Sequence, residues 1–357
     1  VREIQPAVGF VLNEKAYQIT IKEDGDVVEI KLENRYIRGD IEGLKLDEDG
    51  NVIAGAKFGL FKPGTTEFTE ETAVLVTESD SEGKFRFEDI RFGKWIVREL
   101  VPATGYVLNE TPIEVNIQTE GEIINISFEN KFIRSDIKGY KVDEDGKPVE
   151  GALFGLFTET DTEFTEENAV LTVKSDADGI FFFDDIRFGK WIVKELAPAE
   201  GFVANDTVFP IDVTTDGAVI EINAENRHIY GMVHTTKVDK DYPDNLLAGA
   251  IFEIYMDVDG NKEFNADVDT LVGEMVEYEP GLYELENLRY GGYFLYEKQA
   301  PANYVKDDAY HYFAIVNDGE MVEVENEAGI GFINNHMVGN LKIVKSSSDG
   351  RVEGFSF

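Results

Sequence analysis

A lysine, a glutamate and an asparagine recur along this chain at nearly fixed intervals. Lys45, Lys141 and Lys237 precede Glu99, Glu195 and Glu297 by 54, 54 and 60 residues. Asn130, Asn226 and Asn334 follow those glutamates by 31, 31 and 37 residues, and Glu3 and Asn34 form another pair 31 apart. Each Asn is followed 11 residues later by a Lys, the last being Lys345. Strand alternation places all three residue types on apolar faces. Trp95, Val97 and Glu99 share one face, and Ile126, Phe128 and Asn130 share another. Burial of a charge is costly unless it is paired or neutralised. The chemistry that uses such a trio is amide formation. A desolvated lysine becomes a neutral nucleophile. A buried carboxyl that keeps its proton can polarise the Asn carboxamide and shuttle protons. The amine attacks the side-chain carbonyl, ammonia leaves, and a Lys–Asn isopeptide remains. The competing reading is a buried ion pair with a hydrogen-bonded Asn. Three full sets and matching half-sets favour the bond.

The elements that hold these residues repeat as well. DIRFGKWIV occurs at 89–97 and 185–193, and IRGDIEGLKLDEDG at 37–50 returns as IRSDIKGYKVDEDG at 133–146. Complete units are expected at 37–132 and 133–228, with a divergent third at 229–336. Residues 1–36 read as the back half of a preceding unit, and 337–357 as the front of a following one. The chain therefore reads as a window on something longer. Within each unit, short runs of Val, Ile, Phe and Thr alternate with polar residues between Gly-containing turns, the pattern of strands. Seven or so strands per hundred residues predict an all-β fold of tandem immunoglobulin-like sandwiches. Junctions are short and lack Pro/Ser-rich linkers, which predicts an elongated, stiff rod.

Composition sets the limits. There is no cysteine among the 357 residues, so neither disulfides nor thiolate-held metals are available. A net charge of −38 excludes nucleic acid and anionic membrane surfaces as partners. With 43% hydrophobic residues the chain can still build cores.

The motifs resemble those of the CnaB-type, or prealbumin-like, domains of Gram-positive surface proteins and pilins. The resemblance is carried by KxDEDGxxxxGAxFGLF at 45–61 and 141–157, by WIVxELxPAxGY/F at 95–106 and 191–202, and by FENK at 128–131. YFLYEKQAPANY at 293–304 is similar to the E-box of pilins. The resemblance implies that Lys45 and Asn130, Lys141 and Asn226, and Lys237 and Asn334 form autocatalytic isopeptides assisted by Glu99, Glu195 and Glu297. Glu3 and Asn34 would belong to a preceding triad and Lys345 to the next. Asn326 is the rival of Asn334 in the third unit; the 11-residue spacing favours Asn334.

Other features carry less. In DVDGNKEFNADVD (257–269), Asp257, Asp259, Asn261 and Glu263 could offer oxygens to Ca²⁺, but the match to an EF-hand loop is incomplete and a solvated acidic loop is the preferred reading. No cofactor is required. Trp95 and Trp191 are expected to pack beside the glutamate, and the four histidines to be structural or on the surface. The expected role is a structural stalk or fibre segment at an extracellular cell surface, in contact with neighbouring repeats and other fibre subunits. The alternative is an adhesin module engaging an extracellular ligand through acidic loops. A turnover enzyme is not expected.

Overall fold

The computed structural model describes residues 1–325, 331–344, 346, 348 and 350. The first repeat forms β1 (Arg38–Asp47), β2 (Lys57–Phe61), β3 (Leu75–Glu78), β4 (Lys84–Arg91), β5 (Gly93–Val101), β6 (Ile113–Ile117) and β7 (Ile123–Asn130). They make two sheets, in the orders β4-β1-β7 and β3-β2-β5-β6. β1 is central in its sheet, antiparallel to β4 and parallel to β7. First and last strands thus run side by side in the same direction, so the chain enters a unit at one end and leaves at the other.

Alternation sorts the side chains as the sequence predicts. Along β1 the residues at odd positions, Gly39 to Asp47, are buried while their neighbours stay partly open. The core lies between the sheets and is built on Phe58, Phe85, Phe87, Val97, Ile117 and Phe128. Phe58 and Phe85 stack with centroids 3.8 Å apart. Gly43 makes room for this stack, since a Cβ there would lie 1.9 Å from Phe85 Cζ.

The second repeat copies the first with β8 (Arg134–Asp143), β9 (Leu153–Thr158), β10 (Leu171–Lys174), β11 (Ile180–Arg187), β12 (Gly189–Ala197), β13 (Val208–Val213) and β14 (Ala218–Asn226). Its sheets have the same order, β11-β8-β14 and β10-β9-β12-β13. The third repeat forms β15 (Tyr230–Asp239), β16 (Ile251–Met256), β17 (Thr270–Glu274), β18 (Val276–Glu279), β19 (Leu282–Arg289), β20 (Gly291–Gln299), β21 (Tyr304–Val305), β22 (Tyr310–Ile315), β23 (Met321–Glu323) and β24 (Phe332–His336). Here the last strand is split. β23 runs parallel to Met232–His234 and β24 parallel to Lys237–Asp239. The pairing offset grows by six from β23 to β24, so the extra residues after Glu297 fall in sequence between these two strands.

Consecutive units meet through the same joint each time. The turn after β1 reaches into the next unit, where Glu48 bonds Arg134 at 2.9 Å and Asp49 bonds Arg187 at 2.8 Å. One unit later Glu144 meets His228 at 3.0 Å and Asp145 meets Arg289 at 3.3 Å. An aromatic ring from the later unit lies on a glycine of the earlier one: Phe92 on Gly9, Phe188 on Gly105 and Tyr290 on Gly201. These glycines have φ of +85°, +92° and +84°, and a Cβ would meet the rings at 2.9, 2.9 and 3.2 Å. The repeats thus form an elongated tandem array in which each unit contacts its neighbours.

Candidate functional site

Parallel pairing of β1 with β7 decides where the triad assembles. Lys45 pairs with Phe128 and Asp47 with Asn130, so the Lys and Asn side chains point inward from adjacent strands at one end of the sheet. Glu99 enters from the opposite sheet, where β5 pairs it with Phe58 of β2. The other repeats match. Lys141 is level with Ala224 and Lys237 with Phe332, while Glu195 faces Phe154 and Glu297 faces Phe252. All nine side chains are buried, with the three lysines at 0% exposure.

In the first unit the Lys45 amine donates to Asn130 Oδ1 and lies 3.6 Å from Glu99 Oε1. Asn130 Nδ2 donates to that same Oε1 at 2.9 Å. In the third unit Lys237 donates to Asn334 Oδ1 and sits 3.0 Å from Glu297 Oε1, which accepts Asn334 Nδ2 at 2.9 Å. In the second, Asn226 Nδ2 donates to Glu195 Oε1 at 2.9 Å, and Lys141 lies 3.9 Å from that oxygen. Its amine is turned to Ala224 O at 3.3 Å, and Asn226 Oδ1 is buried without a partner. In residues 1–36, Asn34 Nδ2 bonds both oxygens of Glu3, at 2.9 and 2.8 Å.

Desolvation pushes the Lys45 amine below its ordinary value and holds Lys141 and Lys237 down at about 8, against the opposing pull of the nearby glutamates. The arrangement departs from the sequence expectation in one respect. The glutamate oxygen does not face the carboxamide oxygen; it stands between the amine and the carboxamide nitrogen. Oε1 is thereby within reach of both nitrogens.

Several expected residues lie elsewhere. Trp95 and Trp191 are half-buried at the core's edge, their Nε1 bonded to the carbonyls of Arg91 and Arg187 at 2.9 Å. The rings near the third amine are Phe332 and Phe252, with centroids 4.4 and 5.7 Å from Lys237 Nζ. Asn326 and Lys345 lie outside the described residues. In the acidic loop, Asp257 and Asp259 converge with Asp269. Asn261 Nδ2 donates to Asp259 at 2.9 Å, and Glu263 is outside that trio. Asp257 and Asp269 each accept two main-chain N–H groups, so the loop closes on its own carboxylates. The histidines each meet a carboxylate: His228 with Glu144, His234 with Glu323, His311 with Asp307 and His336 with Asp239.

One group of residues escaped the sequence reading. Ten positions after each glutamate, a main-chain N–H donates to its other oxygen. Asn109 bonds Glu99 Oε2 and Asn205 bonds Glu195 Oε2, both at 2.8 Å. The constant offset of these asparagines within VLNE and VAND was the available signal.

Comparison with known proteins agrees with this architecture. The family model described as SpaA, prealbumin-like fold domain, matches residues 39–132, 135–228 and 231–328. No curated protein matches the chain in sequence. Among solved structures, the Bacillus anthracis TIE protein is 23% identical, with a TM-score of 0.67 over 81% of this chain and 51% of its own. The chain thus spans about half the length of that protein. BcpA, the major pilin subunit of Bacillus cereus, is 16% identical over 84% of this chain and 100% of its own, with a TM-score of 0.41. The Streptococcal ancillary pilin is 20% identical over 84% and 99%, with a TM-score of 0.31. With three successive matches covering most of its length, the chain belongs to the prealbumin-like fold domain family.

Proposed function

We propose that the chain is a structural stalk or fibre segment at an extracellular cell surface, each unit locked by an intramolecular Lys–Asn isopeptide. The units are 37–132, 133–228 and 229–336, with 1–36 and 337–357 belonging to neighbouring units of the same kind. One observation carries the reading: a buried amine, carboxamide and carboxyl converge in each of the three repeats, on first, last and middle strands.

The reaction balances within the triad. A proton on the amine passes to Glu Oε1, leaving a neutral amine beside a protonated carboxyl. The amine attacks Asn Cγ and the C–N bond to Nδ2 breaks. Oε1 collects the proton that the new amide nitrogen sheds and gives one to the departing nitrogen, so that ammonia leaves and the carboxyl ends protonated, still holding one proton in place of the one the amine first gave it. Nothing turns over, because each triad reacts once. By comparison with a disulfide closing a loop of similar size, the bond restricts the unfolded chain by ~4–5 kcal/mol. Its larger effect is on the rate of unfolding and on protease resistance.

Intact-protein mass tests this. The chain should be lighter than its sequence by three ammonias, and Glu99→Ala should restore one. An unmodified mass in the wild-type chain would sink the crosslink.

A further inference from the structure

In the three complete triads the two glutamate oxygens have separate partners. Oε1 faces the amine and the carboxamide nitrogen. Oε2 accepts a main-chain N–H in all four copies, from Asn13, Asn109, Asn205 and Asp307, at 2.7, 2.8, 2.8 and 2.8 Å. That N–H is aimed by a turn closed by the same residue's side chain. Its Oδ1 accepts the N–H two residues on, from Lys15, Thr111, Thr207 and Ala309, at 3.1, 3.0, 2.8 and 2.9 Å. This is the Asx turn for which Asn and Asp are suited. In three copies Nδ2 has a further partner, the carbonyl just before the reactive asparagine: Glu33, Glu129 or Glu225, at 3.0, 2.9 and 2.6 Å. One side chain therefore ties the segment after the glutamate strand to the strand that presents the electrophile.

The consequence concerns the proton. Oε1 is the oxygen that both the amine and the carboxamide nitrogen approach, so a proton passed between them travels through it. The N–H at Oε2 holds the carboxyl with its other oxygen turned to nucleophile and leaving group. We propose that Asn109, Asn205 and Asp307 are positioning residues of the crosslinking reaction. They fix which carboxyl oxygen faces the nucleophile and the leaving group, and hold that oxygen in place. The proposal rests on the isopeptide reading above. The third unit shows which part is essential. Asp307 keeps the turn and the N–H but has no Nδ2 to donate, and its Oδ2 lies 3.0 Å from His311 Nε2 instead. The element shared by every copy is the turn.

The test uses the full chain with Asn109→Ala or Asn109→Asp, so that the second and third units are internal controls. Chains are made in a short cell-free pulse and quenched in denaturant at intervals. Peptide mapping then follows the Lys45–Asn130 crosslink. The rate is divided by the folded fraction of unit one, measured by protease protection in an Asn130→Ala background. Asn109→Ala should slow unit one by about tenfold or more, part of the roughly 10²–10⁴ that a positioned acid–base group supplies. Asn109→Asp keeps the turn and should react at close to wild-type speed. Units two and three should be unchanged. A corrected rate for Asn109→Ala equal to wild type overturns the positioning role, as does failure of Asn109→Asp to restore the rate. If wild-type unit one loses no ammonia at all, the isopeptide reading itself falls.

Discussion

Lys141 shows most directly how burial prepares this chemistry. Its amine is held down at about 8, from an ordinary 10.5, by loss of solvent. In a unit that cannot crosslink, the sign of the pH effect follows. Below about pH 8 folded and unfolded chains both hold the proton. Between about 8 and 10.5 the unfolded chain keeps a proton that the folded one has released, so stability rises with pH across that window. Asn226→Ala should therefore melt at a higher temperature at pH 10 than at pH 8, as ~two pH units of that linkage are traversed. The reacted wild-type unit has an amide in place of the amine and should lack this component. Thermal melts of both proteins across that range check it, with the wild type absorbing the shared tyrosine titrations. The triads were legible because a charged or amide side chain on an apolar strand face breaks the alternation in every repeat. The Asn109 turn was not, because its essential group is a main-chain N–H that any residue carries. Its side chain only aims that group.

At the scale of elements, most of the fold followed from alternation and turn chemistry. Pairing of β1 with β7 rather than with β2 did not, because it depends on a crossover between sheets that local pattern does not encode. Register decided the site as much as residue type did. In the third unit the break between β23 and β24 absorbs the inserted residues, so Asn334 still faces Asp239 as Asn130 faces Asp47. The glycines of β1 also acquired a reason only from packing. Gly43 is in a strand interior, where glycine is normally unfavourable, yet it is the surface on which Phe85 rests. Gly43→Ala should destabilise the first unit by about 1–3 kcal/mol through overpacking. The measurement belongs in an Asn130→Ala background, where denaturant unfolding is not dominated by the crosslink. An unchanged midpoint there would show that Phe85 relaxes freely.

Over the whole molecule, the joints matter as much as the units. Exposed ion pairs such as Asp49–Arg187 are worth ~0–1 kcal/mol and weaken with salt. The ring seated on a left-handed glycine does not depend on salt, and it recurs at each of the three junctions among the described residues. Phe188→Ala should thus shorten and broaden the end-to-end distribution seen by small-angle scattering, while raising the salt concentration leaves the wild type nearly as long. Salt alone collapsing the rod would assign the stiffness to the charges instead.

The parallel pairing of first and last strands has a final consequence, for a pulled chain. In a crosslinked unit, force entering along β1 would reach Lys45, cross the proposed isopeptide to Asn130 and pass straight into the next unit. Everything from residue 46 to 129 hangs off that route as a closed loop. From one lysine to the next the backbone is 96 residues long, yet only the 11 from Asn130 to Lys141 bear tension. Drawn taut, those 11 span about 37 Å, where the full 96 would span about 330 Å. A force–extension trace of the crosslinked chain should show no unfolding steps from its three units, whereas Asn130→Ala should release a single long one. Such a filament would behave as a cable of nearly fixed length, its folded domains carried along the line without being part of it.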